Sequence, residues 1–187
     1  MRIKVGVMGS AGEALTGELA EDLRAKAEGL GRAIAARGCV AMTGGTTGLP
    51  HLAGAAARRE GALHVGVSPA ADEREHVERY GLPVEGTDLL VYTGFGLKGR
   101  NVVLVRSCDV VLIFRGGMGT LNELTIAHDE GRVVGCLKGT GGVADEAERL
   151  IQALPKKKGA VVLFDEDPAA LLDKCLAALK SFRGEGD

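Results

Sequence analysis

The chain has 187 residues, of which 45% are hydrophobic and 26% charged, a composition typical of one globular domain with a substantial core. Its net charge of −2 excludes a general electrostatic attraction to nucleic acid or to an anionic membrane, so any anion site must be local. The chain enters a strand-like run without the apolar core of a signal peptide, and no apolar run is long enough to span a membrane, so we expect a cytoplasmic protein.

Short apolar runs alternate with stretches of helical spacing along the whole chain. In chain order the pattern predicts a strand at Ile3–Met8, a helix at Leu15–Ala36, a strand at Val40–Met42, a helix at Leu49–Arg59, a strand at Leu63–Val67, a surface segment with a helical turn at Asp72–Tyr80, a strand at Asp88–Tyr92, a helix at Arg100–Cys108, a strand at Asp109–Phe114, a helix at Leu121–Glu130, a strand at Val133–Leu137, a helix at Val143–Leu154, a strand at Ala160–Phe164 and a helix at Ala169–Phe182. The last helix has Asp167 as its cap and Pro168 in its first position.

The predicted strands are continuous apolar runs, which is typical of strands buried on both faces. Strands and helices that alternate in this way form a parallel sheet between two layers of helices. We therefore predict an α/β protein with a Rossmann-like, doubly wound parallel sheet in a three-layer α/β/α arrangement. Residues 1–182 should form a single domain, residues 183–187 a flexible tail, and the basic run Lys156–Lys158 a solvated loop.

The cysteines and histidines are scattered along the sequence. The four cysteines are Cys39, Cys108, Cys136 and Cys175, and no two of them form a CxxC pair. Because most of them lie in or beside apolar runs, we predict buried free thiols. Neither residue type shows the spacing of metal ligands, so no metal site is expected.

Nearly every predicted strand ends in glycine together with serine or threonine. These ends are GSAG at 9–12, TGGTTG at 43–48, SP at 68–69, TGFG at 93–96, RGGMGT at 115–120 and KGTGG at 138–142. In open parallel sheets, ligands bind outside the carboxyl ends of the strands. We therefore predict a long, backbone-lined cleft for a phosphorylated ligand, with contacts from Gly9, Ser10, Gly44, Gly45, Gly94 and Gly96.

The strongest signal is the stretch FRGGMGTLNELTIAHDEG, which runs from Phe114 to Gly131. A buried strand stops at Phe114 and a helix begins near Gly119, so the free N–H groups and the positive dipole end of that helix face the sheet edge. The glycines allow close approach of the backbone, which suits a phosphate monoester. The predicted phosphate contacts are Gly116, Gly117, Met118, Gly119 and Thr120. The alternative is a simple strand–helix turn capped by Thr120.

Two charged residues are candidates for chemistry at this edge. Glu123 could act as a base, stabilise a cationic transition state or bind a ribose hydroxyl, and a carboxylate close to the dipole's positive end is favoured in its charged form. The alternative is an acid that only complements the helix dipole. Arg100 could pair with phosphate through two hydrogen bonds, or it could be an ordinary surface arginine. Lys98, Arg106 and Arg115 are weaker candidates.

The segment GFGLKG at 94–99 matches the GxGxxG pattern of dinucleotide sites. It lies in the middle of the chain, and no acid ends the next strand to hold a ribose, so we do not favour this interpretation. The sequence also contains no Walker A motif, no GxSxG and no sign of a Schiff-base lysine for pyridoxal phosphate.

Four segments together resemble a known family. They are TGGTTGL at 43–49, Arg100 with Asn101, Cys108 with Asp109, and GGMGTLNE at 116–123. The series is similar to the GGxxGL, RK, SD and PGGxGTxxE elements of the LONELY GUY-like proteins, often labelled "possible lysine decarboxylase", an activity that we do not expect here. The resemblance extends over roughly residues 1–155, and the spacing from Arg100 to Glu123 agrees without gaps.

Within that superfamily, the closer likeness is to the molybdenum cofactor carrier-like branch. It is carried by TGFG at 93–96, GRNVVLVRSCD at 99–109, GTGGVAD at 139–145 and a glycine-rich loop without a preceding proline. The resemblance implies a Rossmann-like nucleotide-binding fold that assembles as a homodimer or homotetramer. It also implies a small phosphorylated ligand as the partner, and we expect neither nucleic acid nor membrane as a partner.

The resemblance implies two competing functions. In the carrier branch, the cleft binds the molybdenum cofactor, a pterin phosphate, without turning it over, and residues 116–120 hold the phosphate. In the phosphoribohydrolase members, Arg100 and Glu123 would be catalytic, and a nucleoside 5′-monophosphate would release free base and ribose 5-phosphate without any required cofactor. Asn101, Cys108 and Arg115 replace the family's lysine, serine and proline, and another nucleotide-derived ligand is a third alternative.

Overall fold

The computed structural model describes residues 1–12, 18–155 and 159–184. Its elements in chain order are β1 (Lys4–Gly9), α1 (Glu18–Ala36), β2 (Val40–Thr43), α2 (Leu49–Arg59), β3 (His64–Ser68), a π-helical turn (Glu75–Arg79), β4 (Leu89–Tyr92), α3 (Gly96–Ser107), β5 (Val110–Phe114), α4 (Met118–Asp129), β6 (Val133–Leu137), α5 (Gly142–Ala153), β7 (Val161–Asp165) and α6 (Pro168–Gly184). The predicted alternation of strands and helices is confirmed. The predicted loop at Lys156–Lys158 lies outside the described residues, as do residues 13–17 and 185–187.

All strand pairs are parallel, and the sheet has the order β4-β3-β2-β1-β5-β6-β7. The first four strands are added outward in one direction, and α3 then returns the chain to β5 on the other side of β1. This is the predicted doubly wound arrangement, with its direction reversing between β1 and β5. Ligands of such sheets bind at the carboxyl ends of the strands that flank the reversal.

Helices cover both faces of the sheet. One apolar cluster joins it to α1, α2 and α6 through residues such as Leu23, Leu49 and Leu171. The other joins it to α3, α4 and α5 through residues such as Leu104 and Leu124. The helices therefore exclude water from both faces of the central strands. This burial explains the continuous apolar runs of those strands and confirms the three-layer α/β/α prediction.

The junction between β1 and β5 is closely packed. Gly9 lies opposite Phe114 in the strand register, and a side chain on Gly9 would place its Cβ 2.2 Å from the Phe114 carbonyl oxygen. Just beyond, the Gly116 N–H donates a hydrogen bond to Ser10 Oγ at 3.2 Å. Gly9 and Ser10 thus allow the segments that follow β1 and β5 to pack closely at the place where the direction of the sheet reverses.

The start of one helix and the burial of one strand differ from the sequence prediction. Helix α3 begins at Gly96, four residues before the predicted start at Arg100, and the two glycines of this first turn have a low helix propensity that hides it from the sequence pattern. The edge strand β4 is not buried on both faces as predicted, since Leu89 and Val91 are 54% and 40% exposed. Among the described residues, no helix packs extensively against this edge strand.

The predicted surface segment Asp72–Tyr80 is anchored by a buried histidine. His76 is fully buried, and its ring contacts Ser68 Oγ through Nδ1 at 2.8 Å and the Pro83 carbonyl through Nε2 at 3.1 Å. The segment is therefore fixed to the end of β3.

No helix in the described part of the chain is long and apolar enough to cross a membrane.

The predicted cap and the predicted state of the thiols are both observed. The Ala170 N–H donates to Asp167 Oδ1 at 2.7 Å at the start of α6, so Asp167 is the N-cap. All four cysteines are buried and free. Burial raises the pKa of Cys108, Cys136 and Cys175 to about 12, so their nucleophilic thiolate forms are suppressed.

Candidate functional site

A cavity of about 270 Å³ opens at the point where β1 and β5 end. Its walls come from these two strand exits, from the loop after β2 and from the first turns of α3 and α4. Eight of the residues predicted from the sequence line it, namely Gly9, Ser10, Gly44, Arg100, Gly117, Gly119, Thr120 and Glu123. The strand order thus brings together side chains and glycines from distant parts of the chain.

Five other predicted contacts do not line this cavity: Gly45, Gly94, Gly96, Gly116 and Met118. Gly45 faces Ser68 and Leu90, and Gly94 packs beside Ala71. Gly116 lies beneath Thr120, where it shapes the loop. Met118 is 77% exposed on the outer surface of α4.

Several residues that also line the cavity were not predicted from the sequence. Of these, Thr46 and Ala11 belong to strand-end segments that had been noted, and Asn101 follows the selected Arg100. Lys98 was only a weaker candidate. Leu97 and Pro50 contribute apolar wall, and no motif marks such residues in a sequence.

The start of α4 has the form of an anion site. Gly117 is the N-cap and provides no side-chain cap, so the first-turn N–H groups of Met118, Gly119 and Thr120 have no intrahelical partner. A Cβ on Gly117 would meet nothing within 4 Å among the described residues, so its backbone is open. Thr120 does not cap the helix, which removes the alternative of a simple capped turn. The site can therefore receive an anion through backbone donors at the positive end of the helix dipole.

Arg100 and Glu123 form a buried ion pair beside this helix start. Arg100 Nη1 lies 2.9 Å from Glu123 Oε1, and the two residues are only 6% and 7% exposed. The same nitrogen donates to Asn101 Oδ1, and the Asn101 amide in turn donates to Asn122 Oδ1 at 2.8 Å. Arg100 is therefore not an ordinary surface arginine, and its guanidinium is held in one orientation.

Two further features of Arg100 concern the guanidinium atoms that Glu123 does not bind. Its Nε is buried and has no hydrogen-bond partner in the structure. Its Nη2 lies so close to Gly44 that a Cβ there would be 2.1 Å away. An unpartnered charged N–H group inside a protein is costly, so a bound acceptor would stabilise this arrangement.

The pKa of Glu123 shifts in the opposite direction from the one that the helix dipole predicts. Burial raises the pKa of Glu123, while the Arg100 guanidinium and Lys98 act in the opposite direction and do not fully offset it. Burial dominates because Glu123 lies in the second turn of α4, beyond the first turn in which the dipole acts strongly. The Glu123 carboxylate therefore takes up a proton at a higher pH than the carboxylate of an exposed glutamate does.

The cavity is shorter than the predicted cleft because several strand exits bind their own side chains. Asp145 of α5 accepts hydrogen bonds from the Gly139 and Gly141 N–H groups at 2.8 and 2.7 Å, so a carboxylate of the chain already fills the loop after β6. In the same way, Thr43 Oγ1 contacts the ring of buried His64 at 2.9 Å. The backbone N–H groups that remain free for a ligand are therefore those at the start of α4.

Arg115 explains why the loop lacks the family's proline. Its φ of 55° lies in the left-handed region, which proline cannot adopt. Its N–H donates to Thr140 Oγ1 and its Nη1 to the Thr140 carbonyl oxygen, both at 3.0 Å, and proline has no N–H to give.

Among the other weaker candidates, Arg106 binds Glu130 on the surface at 2.9 Å. No cluster of His, Cys, Asp or Glu that could hold a metal occurs among the described residues.

Comparison with known proteins places the chain in a family. Residues 2–172 match the SLOG cluster4 family. The chain belongs to the SLOG cluster4 family. A relative in this comparison is an uncharacterized protein of Archaeoglobus fulgidus, which is 31% identical over 136 residues, covering 73% of this chain and 80% of the relative.

Solved structures similar to this SLOG cluster4 chain include two proteins that handle molybdenum cofactor. The molybdenum cofactor binding protein of Rippkaea orientalis has a TM-score of 0.73 at 27% identity, over 97% of this chain and 98% of its own. The molybdenum cofactor carrier protein of Chlamydomonas reinhardtii has a TM-score of 0.73 at 28% identity, over 94% and 99%. TM1055 has a TM-score of 0.78 at 27% identity, over 92% and 97%. The predicted likeness to the carrier-like branch is confirmed.

Proposed function

We propose that this protein binds the molybdenum cofactor as cargo and carries it without chemical change. The observation that carries the proposal is the likeness over almost the whole chain to a carrier and a binding protein of that cofactor. Pterin phosphates carry the negative charge that the start of α4 can receive. The proposed carrier would hold the phosphate of its cargo at Gly117–Thr120 and the rest of the molecule toward Gly44 and Ser10.

The residues present fit such a cargo. The cavity of about 270 Å³ is near the small end of the range of ligand pockets, and it is open to solvent on one side, so a larger ligand can extend outward. The glycine at 117 leaves the backbone donors accessible, and Arg100 Nε supplies a buried charged donor. Three kinds of donor, namely backbone amides, a guanidinium and a hydroxyl, thus belong to residues that line the cavity in which we propose to place the phosphate.

The ion pair also favours carrying over catalysis. Glu123 already accepts a hydrogen bond from the Arg100 guanidinium, so its carboxylate is engaged before any ligand binds. Both groups already satisfy each other in the absence of substrate.

The alternative function is a nucleoside 5′-monophosphate phosphoribohydrolase, which would need Arg100 and Glu123 as catalytic groups. One observation favours it: the Glu123 carboxylate lines the cavity close to the proposed phosphate position. There it could stabilise a developing ribosyl cation and orient a water molecule. This alternative predicts release of free base from AMP or an N6-substituted AMP, with loss of that release in Glu123→Gln.

The carrier proposal predicts that the purified protein retains molybdenum cofactor released anaerobically from a molybdoenzyme. We would load the protein, separate it by gel filtration and measure molybdenum by mass spectrometry and the oxidised pterin by fluorescence. Gly117→Val should stay folded, because nothing lies within 4 Å of the added Cβ, but it should lose most of the bound cofactor. Retention by neither protein, together with base release from AMP, would reject carrying in favour of the hydrolase.

We further propose that the protein is a cytoplasmic homodimer or homotetramer. Exposed apolar side chains on or beside α3 and α4 support assembly, since Phe95, Leu97, Val102 and Met118 are 65%, 50%, 41% and 77% exposed. The four buried free thiols are typical of a reducing compartment. Light scattering should report a multiple of the 19.3 kDa chain, and a lone 19.3 kDa species at micromolar concentration would contradict the assembly.

A further inference from the structure

We propose that Lys98 is a second cation of the anion site and binds the ligand's phosphate together with the first turn of α4. This inference rests on the proposed function and adds a residue to it. Lys98 lies in the first turn of α3, and it lines the same cavity as Gly117, Gly119 and Glu123.

The position of the ammonium group is the first argument. A Cβ built on Gly119 would lie 3.1 Å from Lys98 Nζ, and it would meet no other atom within 4 Å among the described residues. The ammonium group therefore lies directly over the first turn of α4. Glycine at this position leaves room for it, whereas a larger side chain would displace it.

Electrostatics supplies the second argument. The N-terminus of a helix carries a partial positive charge, so a lysine ammonium beside it is unfavourable by itself. The same juxtaposition becomes favourable when an anion lies between the two positive groups. In the described part of the chain no carboxylate lies within ion-pair distance of Lys98, and Glu123 is already paired with Arg100. Two positive groups thus face one small volume.

An independent observation at Arg100 also indicates an anion in this volume. Arg100 is 94% buried, as its exposed fraction is 6%, and its Nε has no partner. Arg100 and Lys98 line the cavity from successive turns of α3. Two cationic side chains therefore line the same cavity as the open backbone at Gly117, and Lys98 is the one whose charge no carboxylate pairs at ion-pair distance among the described residues.

The roles of the two cations differ. Arg100 is fixed by Glu123 and Asn101, so it provides a permanent part of the site. Lys98 is exposed and its stem is flexible, so it can adjust to the ligand and close over the bound group. Lys98 would therefore contribute to affinity for the charged group and not to the shape of the cavity.

Titration with inorganic phosphate at constant ionic strength tests this inference. Amide chemical shifts of residues 117–120 would be followed by ¹H–¹⁵N NMR in the wild type and in Lys98→Gln, Lys98→Arg and Lys180→Gln. Lys180 is an exposed lysine on α6, so its variant is a matched control for the loss of one positive charge. We expect Lys98→Gln to bind phosphate at least about tenfold more weakly, while the other two variants stay within about threefold of the wild type.

The possible outcomes separate this inference from the proposed function. Phosphate binding at residues 117–120 that is equally strong in Lys98→Gln would overturn the role of Lys98 and leave the anion site intact. Equal weakening in Lys98→Gln and Lys180→Gln would also overturn it, because net charge alone would then explain the effect. No shift at residues 117–120 in the wild type would reject the anion site itself, and the proposed function with it.

Discussion

Replacing Arg100 with methionine should lower the free energy of unfolding by about 3–5 kcal/mol at pH 8, because it leaves the buried Glu123 carboxylate without its partner. The pair is 2.9 Å apart, and each side chain is less than a tenth exposed. Methionine fills a similar length, so the loss reflects the uncompensated charge more than a cavity. Urea unfolding followed by circular dichroism would measure it.

The deficit of Arg100→Met should depend on pH in a defined direction. Burial already raises the pKa of Glu123, and removal of the guanidinium removes the main opposing influence. A carboxyl group whose pKa is higher in the folded state binds a proton there that the unfolded state lacks, so stability falls as pH rises from about 4.5 through the folded-state pKa. The deficit should therefore be clearly smaller at pH 5 than at pH 8.

Two variants control this experiment. Arg106 and Glu130 are also 2.9 Å apart, but Arg106 is 61% exposed, so Arg106→Met should cost less than about 1 kcal/mol. Adding Glu123→Gln to Arg100→Met removes the unpaired charge and should recover much of the stability at pH 8. Equal losses for Arg100→Met and Arg106→Met, or a deficit that does not change with pH, would show that the buried charge is not the cause.

The second large effect is expected for Gly116→Ala, which should cost about 2–5 kcal/mol, combining the strain of a left-handed backbone with overpacking. Gly116 has a φ of 92°, and an added Cβ would lie 2.4 Å from both Cβ and Oγ1 of Thr120. Its N–H binds Ser10 and its carbonyl accepts from the Val143 N–H at 2.9 Å, so a shift would disturb β1 and α5 as well. Urea unfolding would again report the loss.

The neighbouring glycine provides the control for this prediction. Gly117 has a φ of −116°, which other residues adopt freely, and its Cβ would meet nothing within 4 Å. Gly117→Ala should therefore change the free energy of unfolding by less than about 0.5 kcal/mol. If the two alanine variants were equally stable, the loop would not be under the constraint that the geometry of Gly116 implies.

Part of this site could be predicted from the sequence. The apolar run that ends at Phe114, the glycines that follow and the helical spacing after them identify a strand–helix junction, because these patterns act over only a few residues. That junction lies where it was predicted, with α4 beginning at Met118 instead of near Gly119. The nature of the elements and the parallel sheet followed from the same short-range signals.

The selection of residues that share the cavity depended on the tertiary structure. Glycine-rich strand exits look equivalent in the sequence, but among the described residues only the exits of β1, β2 and β5 open into the cavity, and Asp145 fills the loop after β6 from within. Likewise, no local pattern distinguishes Arg100, which is buried and paired across 23 positions with Glu123, from Arg106, which is exposed. Local patterns determine which elements form. Strand order and burial, which depend on contacts between distant parts of the chain, decide which charges meet, which are desolvated and which remain available to a ligand.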